Sequence, residues 1–219
     1  MWSSEVTNMI ITGIWETLYM TLVSRLVGYV IGLPMGIILT VSDKDGIKPN
    51  AVLYKILDVI ANIVRSVPFI ILLVLLIPFT RLVVGKSYGS TATIVPLVIA
   101  AAPYIARMVE SSLKEVDAGV IEAARSMGAS NFTIITKVML VEARTSLLVG
   151  ATITLGTILG YSAMSGAVGG GGLGAIAIRY GYTRWQTDIM IVTVILLIIL
   201  FQIFQTVGMK LADKFDHRK

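Results

Sequence analysis

The sequence predicts an all-α integral membrane protein of about five transmembrane helices. Three observations carry this. The chain of 219 residues is 56% hydrophobic and only 14% charged, with a mean hydropathy of +0.86, whereas a soluble domain carries about 25% charged residues. Five apolar stretches each approach or exceed the roughly 20 residues a helix needs to cross a bilayer. The charged and turn-forming residues gather between those stretches. At this length one transmembrane domain over 1–219 is expected.

The spans are expected at about 15–41, 56–80, 91–110, 145–168 and 188–210. Residues 1–24 hold no Lys or Arg, and Glu5 and Glu16 are acidic, so this is not the basic start of a secretory signal peptide. In the first span Gly28, Gly32 and Gly36 share one face, which lets a second helix approach closely, within the chain or in a dimer. Gly156 and Gly160 have the same spacing in the fourth span. Pro34, Pro68, Pro96 and Pro103 fall inside spans, where each removes a backbone hydrogen bond and favours a kink. Ser42-Asp43-Lys44-Asp45-Gly46 and Gly85-Lys86-Ser87-Tyr88-Gly89 read as turns.

Lys and Arg collect on the cytoplasmic side of membrane proteins. The loops 43–55 and 107–144 with the tail from 210 hold 12 basic residues, and the opposite set holds 4. This places the N-terminus outside and the C-terminus inside, with Ser4 and Tyr88 outside and Lys48, Ser130 and Lys219 inside. The net charge of +5 is thus an expression of topology. Its dispersal over separate loops gives no nucleic-acid surface.

Several classes are excluded by their motifs. No cysteine is present and the single histidine, His217, lies in the charged tail, so no metal site is expected. Gly85-Lys86-Ser87 lacks the first glycine of a P-loop, because position 80 is Thr80. Gly169, Gly171 and Gly174 have a dinucleotide-fingerprint spacing without its strand. Asp43, Asp45 and Gly46 supply too few ligands for an EF-hand. Asn131-Phe132-Thr133 matches a glycosylation acceptor but falls on the predicted inner side. No nucleophile–base set of a membrane enzyme is apparent, and an ion-coupled carrier would need intramembrane carboxylates that the spans scarcely offer.

The polar stretch 111–144 is the most informative. Val120–Met127 can form two helical turns, Gly128 fits a left-handed cap, and Ser130 can cap a helix starting at Asn131. The run Glu122-Ala123-Ala124-Arg125-Ser126-Met127-Gly128 resembles the cytoplasmic EAA loop of bacterial ABC importer permeases. Val138 and Leu140 continue that pattern, but Val141 stands where proline is usual. Residues 15–21, 65–73, 102–110 and 160–169 extend the resemblance to the methionine-uptake family of these permeases. Membership implies a type I importer fold, a homodimer in membrane lipid and no catalysis by this chain. It implies two ATPase subunits that use ATP with Mg, an extracytoplasmic substrate-binding protein, and coupling through Glu122, Ala123, Ala124, Arg125 and Gly128. The substrate expected from it is methionine or another small polar amino acid.

On the fourth span Gly150, Thr154, Thr157, Tyr161 and Met164 share one helical face. Such a face lines either a water-filled path or a helix–helix contact. With Ser162 and Ser165 these residues are candidates for the path, and Met164 for a flexible gate. Arg25 and Arg65 lie within spans, where a charge must find a partner or water.

Overall fold

The computed structural model describes residues 4–215, so His217 and Lys219 lie outside the described residues. Helix α1 spans Ser4–Ser42 and begins well before the predicted position near residue 15. Its first turns are not bare: Ile10 is buried in a small apolar cluster with Leu173, Ile176 and Ile189. Lys48 and Asn50 return backbone hydrogen bonds to Val41 and Ser42 at 3.1 and 2.9 Å, folding the following turn back on the helix. Asn50 then caps α2 (Ala51–Ser66), its side chain accepting from the Leu53 amide at 3.0 Å.

The predicted span 56–80 is not one straight helix. It is α2, a sharp bend, α3 (Phe69–Leu75) and α4 (Ile77–Val84). α2 and α3 meet at 102°. Pro68 has no amide to continue α2 and forces Val67 into an extended conformation, φ −81° and ψ 124°. Among the described residues four helical stretches are long and apolar enough to cross a membrane, and the bent pair brings the number to five.

Helix α5 (Ser90–Lys114) is the axis of the bundle and carries Pro96 and Pro103 without breaking. α1 lies along it through the glycine face. A Cβ on Gly32 would sit 2.6 Å from the Ala102 carbonyl oxygen, and one on Gly36 2.5 Å from that of Ala106. The glycine stripe is therefore an intramolecular contact. Beyond α5 come α6 (Ala118–Ser126), α7 (Asn131–Thr133), a wider π-helical segment over Ile134–Met139 and α8 (Leu140–Glu142). Ala143 interrupts the run at φ −80°, ψ 0° before α9 (Arg144–Ser165).

After α9 a glycine-rich turn leads into the short α10 (Gly172–Ile176), a second π segment and α11 (Thr187–Lys214). α11 leans on α9 through Phe201, which fills the space left by Gly156; Gly160 meets nothing and faces outward. Only Ile189, Thr193 and Ala212 of α11 are buried. Its remaining apolar surface suits hydrocarbon, where a helix satisfies its own backbone.

Candidate functional site

Two constellations sit at opposite ends of the bundle and a third lies between them. At the first end, Asp117 caps α6 by accepting from the Gly119 amide at 2.7 Å. Gly128 closes it with φ +79°, a conformation a β-branched residue resists. The Gly128 amide donates to Arg125 and the Ala129 amide to Ala124, at 2.9 and 3.1 Å. Ser130 then caps the next turn, accepting from the Thr133 amide at 3.2 Å. The helix–stop–helix geometry expected from the sequence is present.

The predicted coupling residues divide by role. Ala124 is buried in the main apolar core and anchors α6. Arg125 donates to the Ile47 carbonyl at 3.0 Å, tying α6 to the turn after α1. Glu122 and Ala123 face outward. Two apolar residues that sequence reasoning passed over join them: Met127 is 82% exposed and Phe132 75% exposed. Such side chains rarely stand free on a finished surface, and their proximity to a capped helix was the available signal.

The same end holds an ion network that sequence reasoning missed. Arg107 on α5 pairs with Asp58 on α2 and with Glu110, the latter at 2.6 Å. Lys114 bridges Glu110 at 2.8 Å and Asp43 at 2.6 Å. Tyr54 donates to Glu110 at 3.3 Å. The Lys114 ammonium, hydrogen-bonded to Asp43, holds that carboxyl below the usual carboxylate range. Positions 107, 110 and 114 lie three and four apart, so their shared face was legible. Their α2 and α1 partners required the fold.

At the opposite end the glycine turn is fastened to three helices. The Gly172 amide donates to Glu16 at 2.6 Å and the Leu173 amide to Thr17 at 2.9 Å. Gly89 donates to the Gly169 carbonyl at 2.9 Å, and Thr93 to that of Gly170 at 3.2 Å. Gly174 packs directly on the Ala163 backbone.

The α9 face is split. Thr154, Ser162 and Ser165 are buried, and each hydroxyl donates to a carbonyl of its own helix. Thr157 also bonds its own helix, to Ile153 at 3.1 Å, but is only half-buried. Tyr161 is half-buried and stacks on Phe69 with ring centroids 4.4 Å apart. Met164, one turn further, is 52% exposed and so does not fill this protomer's core. Arg25 and Arg65 form no ion pair among the described residues; each guanidinium lies over a tyrosine ring, Tyr29 at 5.8 Å and Tyr104 at 5.9 Å.

Residues 32–218 match the family described as binding-protein-dependent transport system inner membrane component. The probable D-methionine transport system permease protein of Vibrio cholerae is 49% identical over 217 residues, covering 99% of this chain and 96% of that protein. The D-methionine transport system permease protein of Escherichia coli K12 is 55% identical over 158 residues, 72% of this chain and 73% of its own. Among solved structures, an inward-facing MetNI methionine ABC transporter chain superposes with a TM-score of 0.97 at 49% identity, covering 99% of this chain and 100% of that one. An amino acid ABC transporter at 22% identity and TM-score 0.79 shares the fold. This chain belongs to the binding-protein-dependent transport inner-membrane component family, as a multi-pass protein of the inner membrane.

Proposed function

We propose that this chain is the membrane-spanning permease subunit of an ATP-driven ABC importer for methionine. The observation that carries the reading is near-full-length identity of 49% to a D-methionine permease, together with a TM-score of 0.97 to a methionine ABC transporter chain. The chain provides the membrane path and is not itself catalytic. ATP, with Mg, is consumed by a separate ATPase, and two copies of the permease face one another across the path. An extracytoplasmic binding protein delivers the amino acid.

In this reading α6 is the coupling helix. Glu122, Ala123 and Met127 present themselves to the ATPase, while Ala124, Arg125 and Gly128 fix the helix on its own bundle. The α6 end is then cytoplasmic and the glycine turn extracytoplasmic, in accord with the distribution of Lys and Arg. Met164, with Thr157 and Tyr161, borders the path as its gate. The buried Thr154, Ser162 and Ser165 shape α9 from behind.

The test is reconstitution in proteoliposomes with the ATPase and the binding protein. ATP-dependent accumulation of labelled D- or L-methionine is expected. Accumulation driven by a proton or sodium gradient without the ATPase would overturn the reading. Cysteines placed singly at Tyr88 and Ser130 should react with impermeant reagent from the outer and inner side respectively; the reverse pattern would invert the topology.

A further inference from the structure

Between the two ends the bend at Pro68 opens a cavity of about 160 Å³, lined by Arg65, Phe69, Leu72, Ala100, Tyr104 and Tyr161. It is formed because α2 stops at Ser66 and α3 turns away at 102°, leaving the last turn of α2 facing α5 and α9. Tyr161 lies one helical turn from Met164, so the cavity sits immediately inside the proposed gate.

The chemistry of the cavity is asymmetric. Arg65 makes no hydrogen bond or ion pair among the described residues, and its guanidinium has only the Tyr104 ring for company at 5.9 Å. The carboxylate of α2, Asp58, is already committed to Arg107. Arg65 is exposed in the protomer and lies in the last turn of α2, where the helix dipole favours a cation. The rest of the wall is apolar or aromatic: Phe69 and Leu72 are buried and Tyr161 stacks flat on Phe69. A free planar guanidinium beside an apolar wall has the two features that an amino-acid zwitterion with an apolar side chain requires.

We propose that this cavity is a carboxylate-binding subsite on the translocation path, in which Arg65 holds the α-carboxylate of the passing amino acid while its side chain lies against Phe69, Leu72 and Tyr161. The inference rests on the amino-acid importer reading and deepens it. The apolar wall selects for an apolar or thioether side chain, and the guanidinium for a free carboxylate.

The experiment uses the assembled permease–ATPase complex in nanodiscs without the binding protein, so that the membrane part alone recognises the solute. Binding of radiolabelled methionine and of methioninamide, whose carboxylate is replaced by a neutral amide, is measured. The wild type should bind methionine at least about tenfold more tightly than the amide, the range expected of a charge-assisted hydrogen-bonded pair. Arg65→Gln should weaken methionine roughly 10- to 100-fold and abolish the preference. Arg65→Lys, which keeps the charge without the fork, should retain part of it. A wild type without preference, or a preference that survives Arg65→Gln, overturns the site. So does a fall in melting temperature in both variants with methionine binding intact, which would make Arg65 a structural partner of the second protomer. If the wild type neither binds nor imports methionine, the substrate reading falls and the subsite with it.

Discussion

The two ends of the bundle are closed by different means. At the α6 end, five charged side chains from α1's following turn, α2 and α5 hold one another: Asp43, Asp58, Arg107, Glu110 and Lys114. At the glycine end the contacts are backbone amides, two hydroxyls, the Glu16 carboxylate and direct backbone packing of Gly174 on Ala163. An ion network can lose one pair and regain another as helices slide, because its long side chains reach several partners. A glycine contact has no such latitude, since the fit depends on backbones at fixed separation. Under the proposed importer reading, the adaptable end is the one offered to the ATPase and the rigid end the one beside the proposed gate.

The largest expected effect breaks the link between the adaptable end and its motor. Gly128→Val forces a β-branched residue to φ +79°, and Glu122→Lys reverses a charge on the exposed face of α6. Both variants should insert normally and lose at least about tenfold in ATP-dependent uptake, a modest 1.4 kcal/mol of coupling. Normal uptake by both would remove α6 as the coupling element.

Next comes a direct contrast of the two ends. Glu110 is the shared acceptor for Arg107, Lys114 and Tyr54. Glu110→Ala should destabilise the permease by roughly 3 kcal/mol, the low end for breaking a buried pair because Arg107 and Lys114 are partly exposed. Gly174→Ala places a methyl group against the Ala163 backbone and should cost about 1–3 kcal/mol. The two are distinguished by salt. In thermal unfolding, raising the ionic strength should narrow the gap between Glu110→Ala and wild type, because the Arg107 and Lys114 ends of the network are partly exposed and salt screens them. The Gly174→Ala deficit should not move.

The contrast also explains what the sequence could disclose. That the chain is built of apolar helices follows from hydropathy, but their ends do not: α1 begins at Ser4 and the stretch expected at 56–80 is bent. The caps at Gly128 and Ser130 were legible because a cap is local chemistry, settled within four residues. The bend after Ser66 was only half legible. Pro68 announced a kink, but its size depends on α3 and α4 finding room beside α5. The role of α9 was least legible. Helical periodicity placed Thr154, Thr157, Tyr161 and Met164 on one side, yet the border between buried and open runs through that side: Thr154 is fully buried and Met164 is 52% exposed. The ion network joins residues 43, 58 and 110, far apart in the chain, and no local pattern relates them.

Met164→Ala sharpens the contrast at the glycine end. Met164 is 52% exposed in the protomer, so its truncation should change stability by less than about 0.5 kcal/mol, as at other surface positions. If two such thioethers close the path between protomers, proteoliposomes bearing the variant should leak a small labelled solute several-fold faster, with melting unchanged. A loss of stability without leak would place Met164 in a static contact between subunits.

The smallest effect lies at the outermost link of the ion network. Lys114 donates to Asp43 and holds its carboxyl below the ordinary value of 3.8. A lowered folded-state value contributes stability that is present above the unfolded value and is lost as pH falls through the folded one. The pair is partly solvated, with side-chain exposures of 42% for Lys114 and 19% for Asp43, so its worth is about 0.2–1 kcal/mol. Asp43→Asn should therefore melt slightly below wild type from neutral pH down to about pH 4, and the two curves should converge below that as the wild-type carboxyl takes its proton. A difference that stays constant to pH 3 would mean that Asp43 acts by capping its own turn, where its side chain accepts from the Lys44 amide at 2.7 Å, and not through Lys114.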